Sequence, residues 1–295
     1  MTKIFHEAEV LAKRVLTPGM LRLTFGGEGL ADFQSTGVGD EYVRLFFPNA
    51  ETGRIHLPHI DENGRWSYPD GQKAVRYSTY TVRDYRSDLR EIDVDFVVHD
   101  GGMASDWAQR CCAGDTVTIN KPRALYAPPD DIVWQLLVAD ATGLPALARL
   151  LEQTPEHVQT RAFIEVAEPS HELDLPYHPH ASVTWLHGSG NGVAASRVGE
   201  VVRALPLPPT PGYIWVAGEQ RVVRSLRRYI RHDLRMPAER YELVGYWTED
   251  ARAWEERYDA LPEAVRAAIA AGWDSGRDRE VVRDEYYATL ERFGL

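Results

Sequence analysis

Two periodicities divide the chain. From Glu7 to about Pro122, apolar and polar residues alternate in short runs: HEAEVLAKRVL, MLRLTF, EYVRLFF, AVRYSTYTVR, EIDVDFVV and DTVTINKP. Turn residues such as Thr17-Pro18-Gly19 and Gly26-Gly27 bound them. Alternation with a period of two marks half-buried strands, and several short strands at this spacing predict a closed or partly closed antiparallel β-barrel. The polar, glycine-spaced stretch 51–71 is an expected excursion from it, in which Trp66 and Tyr68 form a local cluster or cap a ligand.

After Pro128-Pro129-Asp130-Asp131 the pattern changes. Apolar runs WQLLVA, TRAFIEVA, SVTWLHG, GYIWVAGE and YELVGYW are interleaved with amphipathic stretches LPALARLLEQ, VAASRVGEVVRAL and RVVRSLRRYIRHDL. Such interleaving predicts a parallel sheet covered on both faces by helices. Beyond Trp247, ALPEAVRAAIAAGW and DREVVRDEYYATLERFGL show helical spacing, the second placing Val282, Tyr286, Leu290 and Phe293 on one stripe. That stripe is a packing face or, in the competing account, a dimer contact. The expected class is β plus α/β, with units over 1–127, 132–248 and a helical extension over 249–295.

Composition narrows the function. With 295 residues and a net charge of −11, the chain is long enough for two domains and argues against a general nucleic-acid surface or docking on anionic lipid. No apolar run approaches the length of a membrane span and the first residues lack a signal-peptide core, so a cytoplasmic protein without membrane insertion is expected. The only cysteines, Cys111 and Cys112, adjoin each other in a predicted helix, which suits neither an ordinary disulfide nor zinc. The histidine group His171, His178, His180 and His187 has no completing ligand spacing, and no protein-bound metal is expected.

The candidate chemistry begins at Ala74–Arg83. On a strand, Arg76, Ser78, Tyr80 and Val82 share one face while Tyr77, Thr79, Thr81 and Arg83 share the other. Tyrosine covers a flat apolar ring, threonine bonds a ring nitrogen, and arginine pairs with phosphate; the same residues also suit any pleated surface. A second stretch, Asp95–Asp115, runs from an apolar strand through Gly101-Gly102 into a helix, and a helix N-terminus offers N–H groups to a phosphate. In the second unit, Asp140-Ala141-Thr142-Gly143-Leu144-Pro145 and Ala217-Gly218-Glu219 follow strands and open helices, where nucleotides bind parallel sheets. Glu165 and Glu168 stand where an acid would bind ribose hydroxyls, a slight lean to NADH over NADPH. Gly188-Ser189-Gly190-Asn191-Gly192 lacks the third glycine of a dinucleotide fingerprint and reads as a flexible loop. Lys121 and Arg123 are candidates for an anionic group, or belong to a solvated loop.

With both stretches in place, the sequence resembles the siderophore-interacting protein family, the FAD-containing ferric-siderophore reductases of the ferredoxin reductase superfamily. The family pattern Arg, any residue, Tyr, Thr, any residue, Arg is met by Tyr80, Thr81 and Arg83, with Ser78 in place of the first arginine and Arg76 one alternation earlier. The resemblance implies an FAD-binding barrel followed by a domain for NADH or NADPH. It implies that Tyr80 borders the flavin and Thr81 bonds it, with Arg76, Arg83, His99, Gly102, Ala104 and Ser105 holding the cofactor. Asp140, Thr142, Gly143, Ala217, Gly218 and Glu219 then line the nicotinamide side, with Tyr80, Thr81, Asp140 and Thr142 as the catalytic set. The implied activity is NAD(P)H-dependent release of iron from a ferric siderophore. The alternatives are a general NAD(P)H-flavin oxidoreductase and a non-catalytic siderophore-binding module. Neither the siderophore nor the oligomeric state is legible.

Overall fold

The computed structural model of the protein describes residues 4–49, 52–60, 66–68 and 77–295. Its first half is an antiparallel sheet of β1 (Phe5–Thr17), β2 (Met20–Gly26), β3 (Tyr42–Phe46), β6 (Tyr77–Thr81), β7 (Asp84–Arg86), β8 (Glu91–Val97) and β9 (Thr116–Asn120), in the order β6-β3-β9-β1-β2-β8-β7. The two-stranded pair β4 (His59–Ile60) and β5 (Trp66–Ser67) is a separate sheet that packs on the β3–β6 edge through Trp66, whose ring lies 5.8 Å from Phe46 and 5.5 Å from Tyr77. The alternation seen in sequence is explained by burial. Val10, Leu23, Val94 and Ile119 enclose a core against which α1 (Met103–Arg110) packs through Ala104 and Ala108.

The barrel-like sheet is not a closed ring. Its edge strands β6 and β7 belong to one stretch of chain that turns at Val82-Arg83, and Arg83 N donates to Asp93 O (2.8 Å) across the gap. One corner thus stands at both edges. The helix α1 also ends earlier than expected, so that Cys111 is its C-terminal cap.

The second half is a parallel sheet of β10 (Trp134–Asp140), β11 (Gln159–Val166), β12 (Ala181–His187), β13 (Gly212–Glu219) and β14 (Tyr241–Trp247), in the order β12-β11-β10-β13-β14. All seven residues of β10 are buried, as befits a central strand with helices on both faces. One face is covered by α2 (Leu144–Gln153), the other by α3 (Val198–Ala204) and α4 (Gln220–Arg228). Between β11 and β12 only a short turn, Pro169–His171, stands in place of a helix.

The two halves meet along α2. Trp215 Nε1 donates to Asp40 Oδ2 (3.3 Å), and Gln153 Nε2 donates to Gly37 O (2.9 Å). Asp40 is buried, and desolvation holds its carboxyl above the ordinary range although Trp215 and backbone N–H groups bond it.

The extension forms α5 (Ala251–Asp259), α6 (Glu263–Trp273) and α7 (Arg279–Arg292). The expected stripe holds in part. Val282 and Leu290 are buried, whereas Phe293 is 41 % exposed and Leu295 takes its place in the small core. The helix ends just before Phe293, and the positive φ of Gly294 turns the chain so that Leu295 faces inward.

Candidate active site

The corner between β6 and β7 carries the ring-binding pattern. The register Val43↔Tyr80 and Leu45↔Ser78 puts Tyr80 and Ser78 on the barrel-core face, and Tyr80 packs on Phe96 with ring centroids 4.2 Å apart. Burial raises its phenol well above the usual value. Thr81 faces the other way, toward the second domain. Its Oγ1 is buried and makes no hydrogen bond of acceptable geometry. The hydroxyl of Tyr246, on β14, lies against it, with Asp40, Tyr42 and Asp140 in its electrostatic surroundings.

Arg83 is turned from the expected phosphate contact toward α2. It makes a two-pronged pair with Glu152 (2.6 and 3.2 Å), because the alternation that sends Thr81 to the second domain sends Arg83 there too. Arg76 lies outside the described residues.

At α1 the first helical bond runs from Asp106 N to Gly102 O (2.8 Å), and no side chain caps the start. The N–H groups of Met103, Ala104 and Ser105 are therefore presented at the positive end of the helix. Ser105 Oγ is engaged within the turn, donating to His99 O (2.8 Å) and accepting from His99 N (3.0 Å) and Gln109 Nε2 (3.2 Å). It shapes the turn, leaving backbone N–H groups to meet an anion. The His99 ring lies over Gly102, where an added Cβ would strike it.

In the second domain the strand ends surround a cavity of about 270 Å³ lined by Asp140, Glu165, Gly190, Ser196, Glu219 and Trp247 among others. Ala217 and Gly218 also line it, whereas Thr142 and Gly143, expected there, do not. Asp140 is bonded by Thr142 N (2.8 Å), Thr142 Oγ1 (2.6 Å) and Trp247 Nε1 (2.6 Å). Its carboxyl is nevertheless pushed up by burial. Gly143 has a steric reason: a Cβ there would come within 2.9 Å of Ala217 Cβ, separating α2 from β13. Glu219 caps α4, accepting from Arg221 N (2.6 Å) and Val222 N (3.1 Å).

Several residues at the site escaped the sequence reading. The loop 188–192, expected to be flexible, is tied down: Asn191 Oδ1 accepts from Ala141 N (3.0 Å) and Asn191 Nδ2 donates to Glu165 O (3.0 Å). Glu165 Oε1 accepts from Ser189 Oγ and Arg197 N, each at 2.7 Å. Glu168 is exposed and does not line the cavity. Asn191 at φ 55° is the available signal, since asparagine tolerates that conformation in tight turns. Tyr246 and Trp247 gave no signal beyond ending a strand.

The histidines have structural contacts. His187 Nε2 meets Glu172 (2.7 Å), and His178 Nε2 lies 3.3 Å from Pro155 O. Among the described residues no cluster of three or more His, Cys, Asp or Glu gathers as a metal site.

The residues present fit an FAD. The buried Thr81 hydroxyl makes no hydrogen bond of good geometry and so could bond a ring atom, and the uncapped start of α1 offers N–H groups that could meet phosphates. Comparison with known proteins agrees. Residues 9–126 match the siderophore-interacting FAD-binding domain and residues 132–250 the siderophore-interacting protein domain. The chain is 31 % identical over 250 residues to the NADPH-dependent ferric-chelate reductase of Escherichia coli, covering 82 % of this chain and 92 % of that one. It is 28 % identical over 264 residues to the ferric vibriobactin reductase ViuB of Vibrio cholerae, covering 86 % and 94 %. The crystal structure of a siderophore utilization protein from T. fusca superimposes with a TM-score of 0.74 at 30 % identity, covering 85 % of this chain and 96 % of that one. With its barrel-like sheet, parallel sheet and matching domains, the chain belongs to the siderophore-interacting protein family of FAD-binding oxidoreductases.

Proposed function

We infer that the protein reduces a ferric siderophore with electrons from a nicotinamide dinucleotide, with 1–127 holding FAD, 132–248 the dinucleotide and 249–295 bracing the latter. The observation that carries this reading is that Tyr246 lies against Thr81 and within the electrostatic reach of Asp140, so one residue of β14 links the ring site to the strand-end cavity. Bound there, FAD would supply two-electron acceptance from the nicotinamide and one-electron delivery to iron. The chain's residues do the positioning. Tyr80 backs the ring, Thr81 Oγ1 bonds its edge, and the start of α1 meets the phosphates. Asp140, held by Thr142 and Trp247, shapes the floor of the dinucleotide cavity. Arg123 is exposed beside Tyr42, on the face that carries Thr81, and offers positive charge to an anionic ferric chelate. The two free thiols, Cys111 and Cys112, suit a reducing cytoplasm.

For the donor, the reading leans to NADH on the charge of the cavity wall. Among the described residues the cavity lining includes the carboxylates of Glu165, Glu219 and Glu249 and no lysine or arginine, which disfavours an added phosphate. Arg197, exposed beside the lining residue Ser196, is the cation that would hold such a phosphate in the NADPH alternative. An anaerobic absorbance assay with FAD, each dinucleotide and a panel of ferric chelates, trapping ferrous iron, tests the whole reading. Bleaching of the flavin by NADH, followed by ferrous iron only with siderophores, supports it. Reduction of quinones but no ferric siderophore would favour a general flavin oxidoreductase, and failure to take up FAD would leave a binding module.

A further inference from the structure

The geometry points to Arg149, a residue of the dinucleotide domain, as a positioning residue for the flavin: it holds the carbonyl of Val82, the residue that follows Thr81. The inference rests on the FAD reading above. At this corner the chain leaves the β3 ladder and joins β8, so its peptide groups need partners from elsewhere. Val82 N donates to Glu41 O (2.8 Å), and Val82 O accepts from Arg149 Nη1 (2.7 Å). Arg149 is 7 % exposed, lies 67 residues further along the chain, and reaches the corner from α2. The same Nη1 lies 3.4 Å from Glu41 Oε1. The fully buried Glu41 is fixed in turn by Ser35 Oγ (2.8 Å) and Thr36 N.

Three positions on, and so on the same side of α2, Glu152 takes Arg83 in its two-pronged pair. One helix face therefore grips the residues immediately after Thr81. The Thr81–Val82 peptide is held by Glu41 O and the Val82–Arg83 peptide after it by Arg149, which also meets the Glu41 carboxylate, so the backbone that carries the Thr81 hydroxyl is fixed at both peptides of Val82 only when the two domains are docked.

The test titrates FAD into apoprotein of the wild type, Arg149→Met, Arg149→Lys and Gln153→Ala, reading flavin fluorescence, the visible spectrum of the bound flavin and apoprotein Tm. Gln153→Ala is the control, since it removes an interdomain bond of α2 that does not touch the corner. The expected result is a rise of about tenfold in Kd for FAD and a shifted visible band in Arg149→Met, partial recovery in Arg149→Lys, and wild-type binding in Gln153→Ala. Wild-type Kd and spectrum in Arg149→Met, whatever its Tm, would overturn the inference. So would equal weakening in Gln153→Ala, which would mark general domain docking. Should Arg149→Met fail to fold, Arg149→Lys decides: a wild-type spectrum and Kd there overturn the inference, and an intermediate shift upholds it. A wild type that binds no FAD defeats the earlier reading, a result distinct from an insensitive variant.

Discussion

Thr81 carries a buried hydroxyl that makes no hydrogen bond of good geometry, with only the Tyr246 hydroxyl against it, whereas buried hydroxyls are normally bonded. Thr81→Val should leave apoprotein Tm unchanged or slightly higher, while Kd for FAD rises about fivefold to tenfold, the worth of about one hydrogen bond. A fluorescence titration beside a melting curve checks both. Asp140 and Glu219, expected at the nicotinamide, line the strand-end cavity, but their carboxylates are spent on Trp247 and on the start of α4. Glu242, on β14, is a different case. Desolvation, opposed by Arg283 and reinforced by Asp40 and Glu280, raises its carboxyl to about 7. The folded state then binds the proton more tightly than the unfolded one, so this group's contribution falls as pH rises from the ordinary 4.5 through 7. Glu242→Gln should therefore stabilise the protein at pH 8, by an amount of order 2 kcal/mol, and have no such effect below pH 4. Urea unfolding at the two pH values measures it.

At the scale of elements, the helix α4 and the loop 188–197 matter for the same reason: each presents a backbone to the cavity. Removing the cap by Glu219→Ala should cost about 1 kcal/mol and lower Tm by about 2–4 °C. Asn191→Ala frees both Ala141 N and the end of β11, and should raise KM for the dinucleotide about fivefold to tenfold while leaving Kd for FAD unchanged. A stopped-flow titration with NADH separates that outcome from a general loss of stability. The strands and helices themselves were legible, since α2 spans the very run LPALARLLEQ that the periodicity marked. The tethered loop was not, because the fingerprint rule tests glycine spacing, whereas the tether depends on one asparagine reaching two elements about 25 and 50 residues earlier in the chain.

For the whole molecule, the extension is held by charge more than by its small core. Arg227, 2 % exposed, pairs with Glu280, which Tyr241 also bonds (2.9 Å), and Arg231 Nε meets Asp284 (2.7 Å). Burial raises the Glu280 carboxyl, but Arg227 and Tyr241 outweigh it and hold it below its ordinary range. Its contribution is thus complete above that range and lost as pH falls through the depressed value. Glu280→Ala leaves a buried guanidinium short of its partner and should cost about 3 kcal/mol, seen as an earlier unfolding midpoint. Among the described residues no helix is long and apolar enough to cross a membrane. What the sequence alone determined was local. The two periodicities divided the chain into barrel-like and parallel sheets, and Tyr80-Thr81 with the Gly101-Gly102 turn carried the family resemblance that implied a flavin. Tertiary structure decided which atoms are left for a ligand, turning Arg83 to Glu152, spending Ser105 on His99, and bringing Tyr246 to Thr81 and Arg149 to Val82 from far along the chain. Alternation along a strand sets the face a side chain occupies, but its partner is set by which element packs against that face, and no short window of sequence contains both.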